Sequence, residues 1–172
     1  MKKFITIKRL AVTILLTTAL AQISMAQENI GVCSGSQMIT LGGLYPNKTA
    51  ISLFLDAPIT DIRYPEFGDP IPETYTLYFE EDCIVWAEKQ VFSITLRTRK
   101  FKAPNFTGVR VGDNISTLSR LRGTLTDESL DMGEYAGFKS WRPENDTSDG
   151  YLVWFYYDND NIIKEIHLSL LF

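Results

Sequence analysis

The chain is poor in the residues that most often carry chemistry. Its 172 residues include one histidine, His167, and two cysteines, Cys33 and Cys83. A single histidine excludes a histidine-rich metal site and leaves one possible base for a Ser-His-Asp or Cys-His arrangement, and no Gly-x-Ser-x-Gly elbow occurs. Asp158 and Asp160 have the spacing of a calcium loop, but the glycine and the distal glutamate of such a loop are absent. We therefore predict no catalytic residue, no metal site and no cofactor.

Long apolar runs are missing after the first 26 residues. Residues 1–26 begin with a stretch that holds four Lys and Arg, continue with an apolar segment at 10–21, and end on Ser24-Met25-Ala26. This order is typical of a cleavable secretory signal peptide, because the apolar part is too short to span a bilayer. An uncleaved anchor helix is the alternative. We expect a single β-rich domain at 27–172, exported to the periplasm or secreted, with no membrane insertion after cleavage.

Basic residues are scarce in the mature part. Without residues 1–26, 13 Lys and Arg face 21 Asp and Glu, so the formal charge is −8, against −4 for the whole chain. Nucleic acids and anionic lipids need a cationic footprint, so we predict that neither is a partner. The remaining 146 residues suffice for one domain with its own core.

The two cysteines lie in a chain that we expect to enter an oxidising compartment. We predict a Cys33–Cys83 disulfide, which would close a loop of about 50 residues and stabilise the fold by about 4 kcal/mol in the chain-entropy account. The alternative is two buried thiols that lie far apart.

Alternation of apolar and polar residues dominates from Tyr75 onward and predicts strands with one buried face. One hairpin is expected at 75–88 around the acidic turn at 80–82, and a second at 151–172 around the turn at 158–161. The residues predicted to share the buried face of the intervening strand are Phe92, Ile94, Leu96 and Thr98. Those predicted for the last strand are Ile162, Ile166, Leu168, Leu170 and Phe172, interrupted by Lys164.

Helical signals are few. We expect one short helix to begin at Asn47 and to end before Pro58, and a second to begin at 112–114, with Asp113 accepting from its free N–H groups. Gly108 and Gly112 favour turns that other residues resist. The four Asn-x-Ser/Thr triplets, at Asn47, Asn105, Asn114 and Asn145, are interpreted as turn and cap residues.

The predicted fold class is α+β, with an antiparallel sheet and two short helices packed on one face. A helix, an irregular loop and strands occur twice, at about 40–101 and about 108–172, which suggests a tandem duplication; chance similarity of two hairpins is the alternative. The predicted core residues are Leu53, Phe54, Leu77, Phe79, Ile94, Leu96, Ile115, Leu118, Val153, Phe155, Ile166 and Leu168.

The segment Thr107-Gly108-Val109-Arg110-Val111-Gly112-Asp113-Asn114-Ile115-Ser116-Thr117-Leu118, in which a glycine turn follows a strand and leads into a short capped helix, resembles a motif of exported domains. It is similar to β-lactamase-inhibitory-protein-like domains and to the small outer-membrane lipoproteins of the SmpA/OmlA family. The resemblance implies helices layered on an antiparallel sheet whose other face is open, used for protein binding or envelope assembly and not for chemistry. The lipid-anchor cysteine of the single-unit lipoproteins is missing here.

These observations predict a non-catalytic binding module of the bacterial cell envelope or exterior, which holds a protein or other ligand on the open sheet face. The residues expected on that face are Tyr78, Arg97, Arg99, Trp154, Tyr156, Glu165 and His167. Aromatic residues and arginine dominate binding hot spots. On an exposed sheet they also stabilise strand pairing, which is the structural alternative. The functional alternative is a small secreted, glycan-directed hydrolase that uses paired carboxylates from 80–82 or from Asp127 and Glu128.

Overall fold

A computed structural model describes residues 29–64, 74–126, 137–144 and 150–171. The predicted signal peptide at 1–26 lies outside these residues, as do Asn145 and Phe172.

Strands are the most abundant regular elements of the described residues. In chain order the elements are β1 (Gly31–Val32), β2 (Ile39–Thr40), α1 (Lys48–Leu55), β3 (Asp61–Arg63), β4 (Tyr75–Phe79), β5 (Asp82–Ala87), β6 (Gln90–Leu96), 3₁₀ turns at Pro104–Phe106 and Ile115–Leu118, β7 (Gly123–Thr126), β8 (Lys139–Pro143), β9 (Tyr151–Tyr157) and β10 (Ile163–Leu170).

Eight of the described strands form one antiparallel sheet in the order β3-β4-β5-β6-β10-β9-β8-β7. Each half is a four-stranded meander, and β6 pairs with β10 at the centre, where Leu96 lies opposite Ile166. β1 and β2 form a separate two-stranded ribbon. The α+β class and the antiparallel sheet are confirmed.

The single α-helix of the described residues, α1, begins where the sequence predicts. The Asn47 side chain accepts from the backbone N–H of Ala50 at 2.9 Å, as an N-cap does. The burial prediction for this helix is wrong in part: Leu53 is 73% exposed and Phe54 is 41% exposed. Ile51 and Leu55, four residues apart and therefore on one side of the helix, face the core instead.

The second predicted helix is only a 3₁₀ turn, Ile115–Leu118. Asn114, not Asp113, caps it by accepting from the N–H of Ser116 at 3.0 Å. The Asp113 carboxylate accepts instead from the backbone N–H of Arg110 at 2.9 Å. The backbone N–H of Ile115 donates to the carbonyl of Asn161, so this segment is tied to the start of β10 and does not extend as a helix.

The segment between β6 and β7 covers the buried face of the sheet. The Phe101 ring meets Phe79 edge-on at 6.2 Å, and the Phe106 ring meets Phe155 edge-on at 5.2 Å. The turns at Gly108 and Gly112 have the positive φ angles that favour glycine, +73° and +87°. Except for Leu53 and Phe54, all the predicted core residues are buried: Leu77, Phe79, Ile94, Leu96, Ile115, Leu118, Val153, Phe155, Ile166 and Leu168.

Two β-bulges shift the predicted alternation. Phe92 is an extra residue of β6 opposite Val85 and Trp86, so Val91 takes the buried position and Phe92 is only half-buried. Lys164 is the extra residue of β10, so Ile163 is buried in place of the predicted Ile162. Thr98 lies beyond the end of β6 and is half-buried. A bulge adds one residue to one strand and reverses the face of those beyond it.

Candidate functional site

The sheet has a second face, which points away from the hydrophobic cluster and is called the open face below. Strand register places one row of side chains across six strands of this face, because residues paired across antiparallel strands share a face. The row consists of Asp61, Tyr78, Cys83, Thr95, His167 and Trp154. Arg142 of β8 continues the row, with its guanidinium carbon 5.4 Å from the Trp154 ring centre.

Six of the seven predicted binding residues lie together on the open face: Tyr78, Arg97, Trp154, Tyr156, Glu165 and His167. Arg99 does not join them, because β6 ends at Leu96 and the chain has already turned. Its guanidinium pairs with Asp113 at 2.8 Å, next to the Gly112 turn. Arg99 therefore supports the segment that covers the buried side.

An ion pair lies at the centre of the open face. The Arg97 Nε donates to Glu165 Oε2 at 2.7 Å, with Glu165 only 5% exposed and Arg97 36% exposed. This contact joins β6 to β10, the two strands where the halves of the sheet meet. Glu165 also lies opposite Tyr156 on β9. The pair therefore fixes Arg97 beside the aromatic residues of the second half.

Asp82 holds the end of β6 against the β4–β5 turn. It is 1% exposed and accepts from the backbone N–H groups of Arg97 at 2.6 Å and Thr98 at 2.9 Å. The Thr98 hydroxyl donates to its second carboxylate oxygen at 2.5 Å. Three donors occupy this carboxylate, which is what a structural clamp requires.

The thiol, the hydroxyl and the imidazole of the row lie on three neighbouring strands. Thr95 Oγ1 lies 3.1 Å from His167 Nδ1, and Cys83 is opposite Thr95 on the other side. Cys83 and His167 are therefore two strand spacings apart at the backbone, about 9–10 Å, with Thr95 between them. Burial raises the pKa of the Cys83 thiol, more than the hydrogen bond with Thr95 and the positive charge of Arg97 lower it.

The predicted disulfide is wrong, since both cysteines are free thiols. Cys33 is buried on the covered side, where its backbone exchanges two hydrogen bonds with Lys102. Cys83 points to the open face between Tyr78 and Thr95. The N-terminal segment is held to the domain by the backbone bonds to Lys102 instead of by a covalent link.

Two arginines lie over aromatic rings on the open face. Arg63 lies 4.6 Å from the Tyr78 ring centre and also pairs with Asp61 at 2.9 Å. Arg142 lies over Trp154, whose ring is parallel to that of Tyr156 with the centres 6.0 Å apart. Such stacking holds a guanidinium in a defined orientation while its N–H groups stay available.

Within the described residues, no group of three or more His, Cys, Asp or Glu has the geometry of a metal site, and no helix is long and apolar enough to cross a membrane. A groove of about 240 Å³ lies between the loop at 34–37 and the end of α1. It is lined by Leu53 and Phe54 and by one carboxylate, that of Asp56, so it does not present two facing acids.

Sequence reasoning missed Arg63, Arg142 and Thr95 as residues of this surface. β3 has three residues and β8 has five, too few for a clear alternation signal. Thr95 alternates with the buried Ile94 and Leu96, but a single threonine on a strand face gives no signal of a site. The signal that could have found Arg142 is the order Trp141-Arg142, a buried aromatic residue followed by an exposed cation.

Comparison of the chain with family models, with curated proteins and with solved structures finds no significant match.

Proposed function

We propose that the chain is an exported, non-catalytic binding module of the cell envelope or exterior, periplasmic or secreted, and that it holds a protein partner on the open face. The observation that carries this proposal is the gathering of Tyr78, Trp154, Tyr156 and Arg97 on the face opposite the core. These residue types dominate protein-binding hot spots. A sheet face with only a structural role more often carries Thr, Lys and Glu.

Contacts within the open face support the proposal further. The parallel rings of Trp154 and Tyr156 and the ion pair between Arg97 and Glu165 hold their members in defined orientations. A surface that is ordered before binding loses less conformational entropy when the partner docks. The proposed cell compartment depends on the predicted signal peptide alone.

The hydrolase alternative gains no support from the described acids. Among the acids at 80–82, Asp82 is buried and fully engaged by donors from Arg97 and Thr98, so it cannot act on a substrate. Glu80 is exposed at the same turn, with one oxygen 3.7 Å from Lys100. Asp127 and Glu128 lie outside the described residues.

The proposal includes a tandem duplication and the resemblance to the inhibitory-protein-like and SmpA/OmlA-like domains. The order of elements supports it: a helix or turn precedes four strands in each half, and a long connection follows the first strand each time. Superposing β3–β6 on β7–β10 in an experimental structure tests the duplication. Equivalent strands should coincide in order and direction, and a reversed strand would contradict the idea.

Affinity capture with matched variants tests the binding surface. The tagged mature protein, the Tyr156→Ala variant and the Leu53→Ala variant are each incubated with envelope extract of the native cell. Leu53 is the control because it is an exposed apolar residue on the covered side of the sheet. We expect a partner that the Leu53→Ala variant retains and the Tyr156→Ala variant loses, with melting temperatures that stay within about 4 °C of the parent.

Two outcomes would contradict the proposal. In the first, the Leu53→Ala variant loses the partner while the Tyr156→Ala variant keeps it, which would move the surface to the groove beside α1. In the second, Tyr156→Ala lowers the melting temperature but leaves capture unchanged, which would make the aromatic residues a means of strand pairing.

A further inference from the structure

The charges on the described part of the open face do not cancel. Asp61 is matched by Arg63 at 2.9 Å, and Glu165 is matched by Arg97 at 2.7 Å. Among the described residues, no carboxylate lies within ion-pairing distance of Arg142, which is exposed. Among the described residues, Arg142 is therefore a positive charge of the open face with no ion-pair partner, although the mature chain as a whole is acidic.

The guanidinium of Arg142 is held in place without being neutralised. It lies over the Trp154 ring at 5.4 Å, and the cross-strand partner of Arg142 on β7 is the uncharged Thr124. Stacking on an aromatic ring fixes the plane of a guanidinium and leaves its N–H groups directed outward. Two parallel N–H groups match the two oxygens of a carboxylate, which makes a carboxylate the natural ligand.

The surroundings of Arg142 limit what can carry that carboxylate. The Trp154 ring lies next to it and is parallel to the Tyr156 ring, so the two rings offer apolar contact area. The net charge of the mature chain opposes the approach of a broadly acidic surface, so a single carboxylate among apolar neighbours fits better than an acidic patch. A protein loop with one Asp or Glu beside an aromatic residue has this chemistry.

We infer that Arg142 and Trp154 form a carboxylate anchor that binds an Asp or Glu side chain on a loop of the partner protein. The inference rests on the proposed function, since it specifies what the open face recognises. Arg142 supplies the charge-assisted hydrogen bonds, and Trp154 orients its guanidinium. Tyr156 adds contact with the residue that flanks the carboxylate.

A peptide pair that differs in one charge tests the anchor. The probes are acetyl-Phe-Asp-Gly-amide and acetyl-Phe-Asn-Gly-amide, titrated into the mature protein while the indole N–H signal of Trp154 is followed by NMR. The Trp154→Phe variant assigns that signal among the three tryptophans. We expect the Asp peptide to bind about tenfold more tightly than the Asn peptide, because a charge-assisted pair is stronger than a neutral one.

Variants on the same face supply the controls. Arg142→Gln should abolish the preference for the Asp peptide, and Arg142→Lys should retain only part of it. Arg63→Gln should leave the preference unchanged, because Arg63 is already paired with Asp61. Arg142 is exposed, so its variants should melt with the parent protein.

Three results of the ligand titrations would overturn the inference. The first is equal binding of the two peptides, and the second is a preference that survives Arg142→Gln. The third is binding of galacturonate more tightly than the Asp peptide, which would assign the carboxylate to a saccharide. Affinity capture with the same variants distinguishes rejection of the Arg142 anchor from rejection of the open face as a binding surface. Loss of the partner with Tyr156→Ala but not with Arg142→Gln would retain the open face and reject the anchor.

Discussion

The two faces of the eight-stranded sheet are built from alternate residues of the same strands, yet they differ in kind. On the buried face, Phe79, Ile94 and Phe155 are fully enclosed and contact other apolar groups. On the open face, Trp154 and His167 are half-buried and lie among polar and charged partners. We therefore expect the buried face to stabilise the fold and the open face to bind the proposed partner.

The two faces should differ most in how much a substitution lowers the free energy of unfolding, and neighbouring positions of β9 show this. Phe155→Ala removes a ring that contacts Phe106 and Trp141 at 5.2 and 5.3 Å, and should destabilise the fold by about 3–5 kcal/mol. Trp154→Ala removes a half-buried ring on the open face and should cost about 1 kcal/mol or less. Urea denaturation of both variants measures this, and a larger loss for Trp154→Ala would reverse the assignment of the faces.

Asp82 is a polar exception on the covered side. Asp82→Ala should leave two backbone N–H groups, of Arg97 and Thr98, without their acceptor, and should cost about 1–3 kcal/mol. The neighbouring Glu81→Ala is the control, because Glu81 is exposed and its loss should change stability by less than about 0.5 kcal/mol. Equal denaturation midpoints for the two variants would show that Asp82 is not a clamp.

The ion pair at the centre of the open face should contribute less to the free energy of unfolding than Asp82 does. Glu165→Gln keeps the shape of the side chain but removes the charge that faces Arg97, and should cost about 1 kcal/mol, because Arg97 is partly exposed to solvent. The double variant with Arg97→Gln should recover part of this loss, since no unpaired charge remains. Strictly additive losses in denaturation would indicate that the two side chains do not interact.

The reaction rates of the two thiols compare the accessibility of the two sides of the sheet without altering the fold. The denatured, unreduced mature protein should contain two titratable thiols. Fewer than two would support the Cys33–Cys83 disulfide predicted from the sequence. In the folded protein, Cys83 on the open face should react with iodoacetamide before the buried Cys33. Because burial raises the pKa of Cys83, less of it is thiolate at neutral pH, so its reaction should be slow at pH 7 and speed up at higher pH. Mass spectrometry of Cys33→Ser and Cys83→Ser variants separates the two rates.

Alternation in the sequence predicted the faces of the central strands well, because period-two patterning reflects burial directly. Tyr78, Trp154 and His167 were therefore placed correctly. The pattern fails at Phe92 and Lys164, where a bulge adds one residue and reverses the face of its neighbours. The sequence shows the interruption at Lys164 but nothing at Phe92, since a bulge depends on the pairing of two strands.

Contacts between distant segments could not be predicted. The ion pair between Arg97 and Glu165 needs β6 to lie beside β10, which is a matter of topology. The disulfide prediction failed for the same reason, since the two cysteines lie on opposite sides of a sheet that the sequence does not position. Arg142 escaped attention because its strand is short.

Site-specific photo-cross-linking tests the division between the faces most directly. One mature protein carries a photoreactive amino acid at Tyr156 on the open face, and another carries it at Leu53 on the covered side. Both are exposed to the envelope extract and irradiated. We predict a specific protein adduct from position 156 and none from position 53. A specific adduct from position 53 alone would contradict it and would leave the open face with only a structural role.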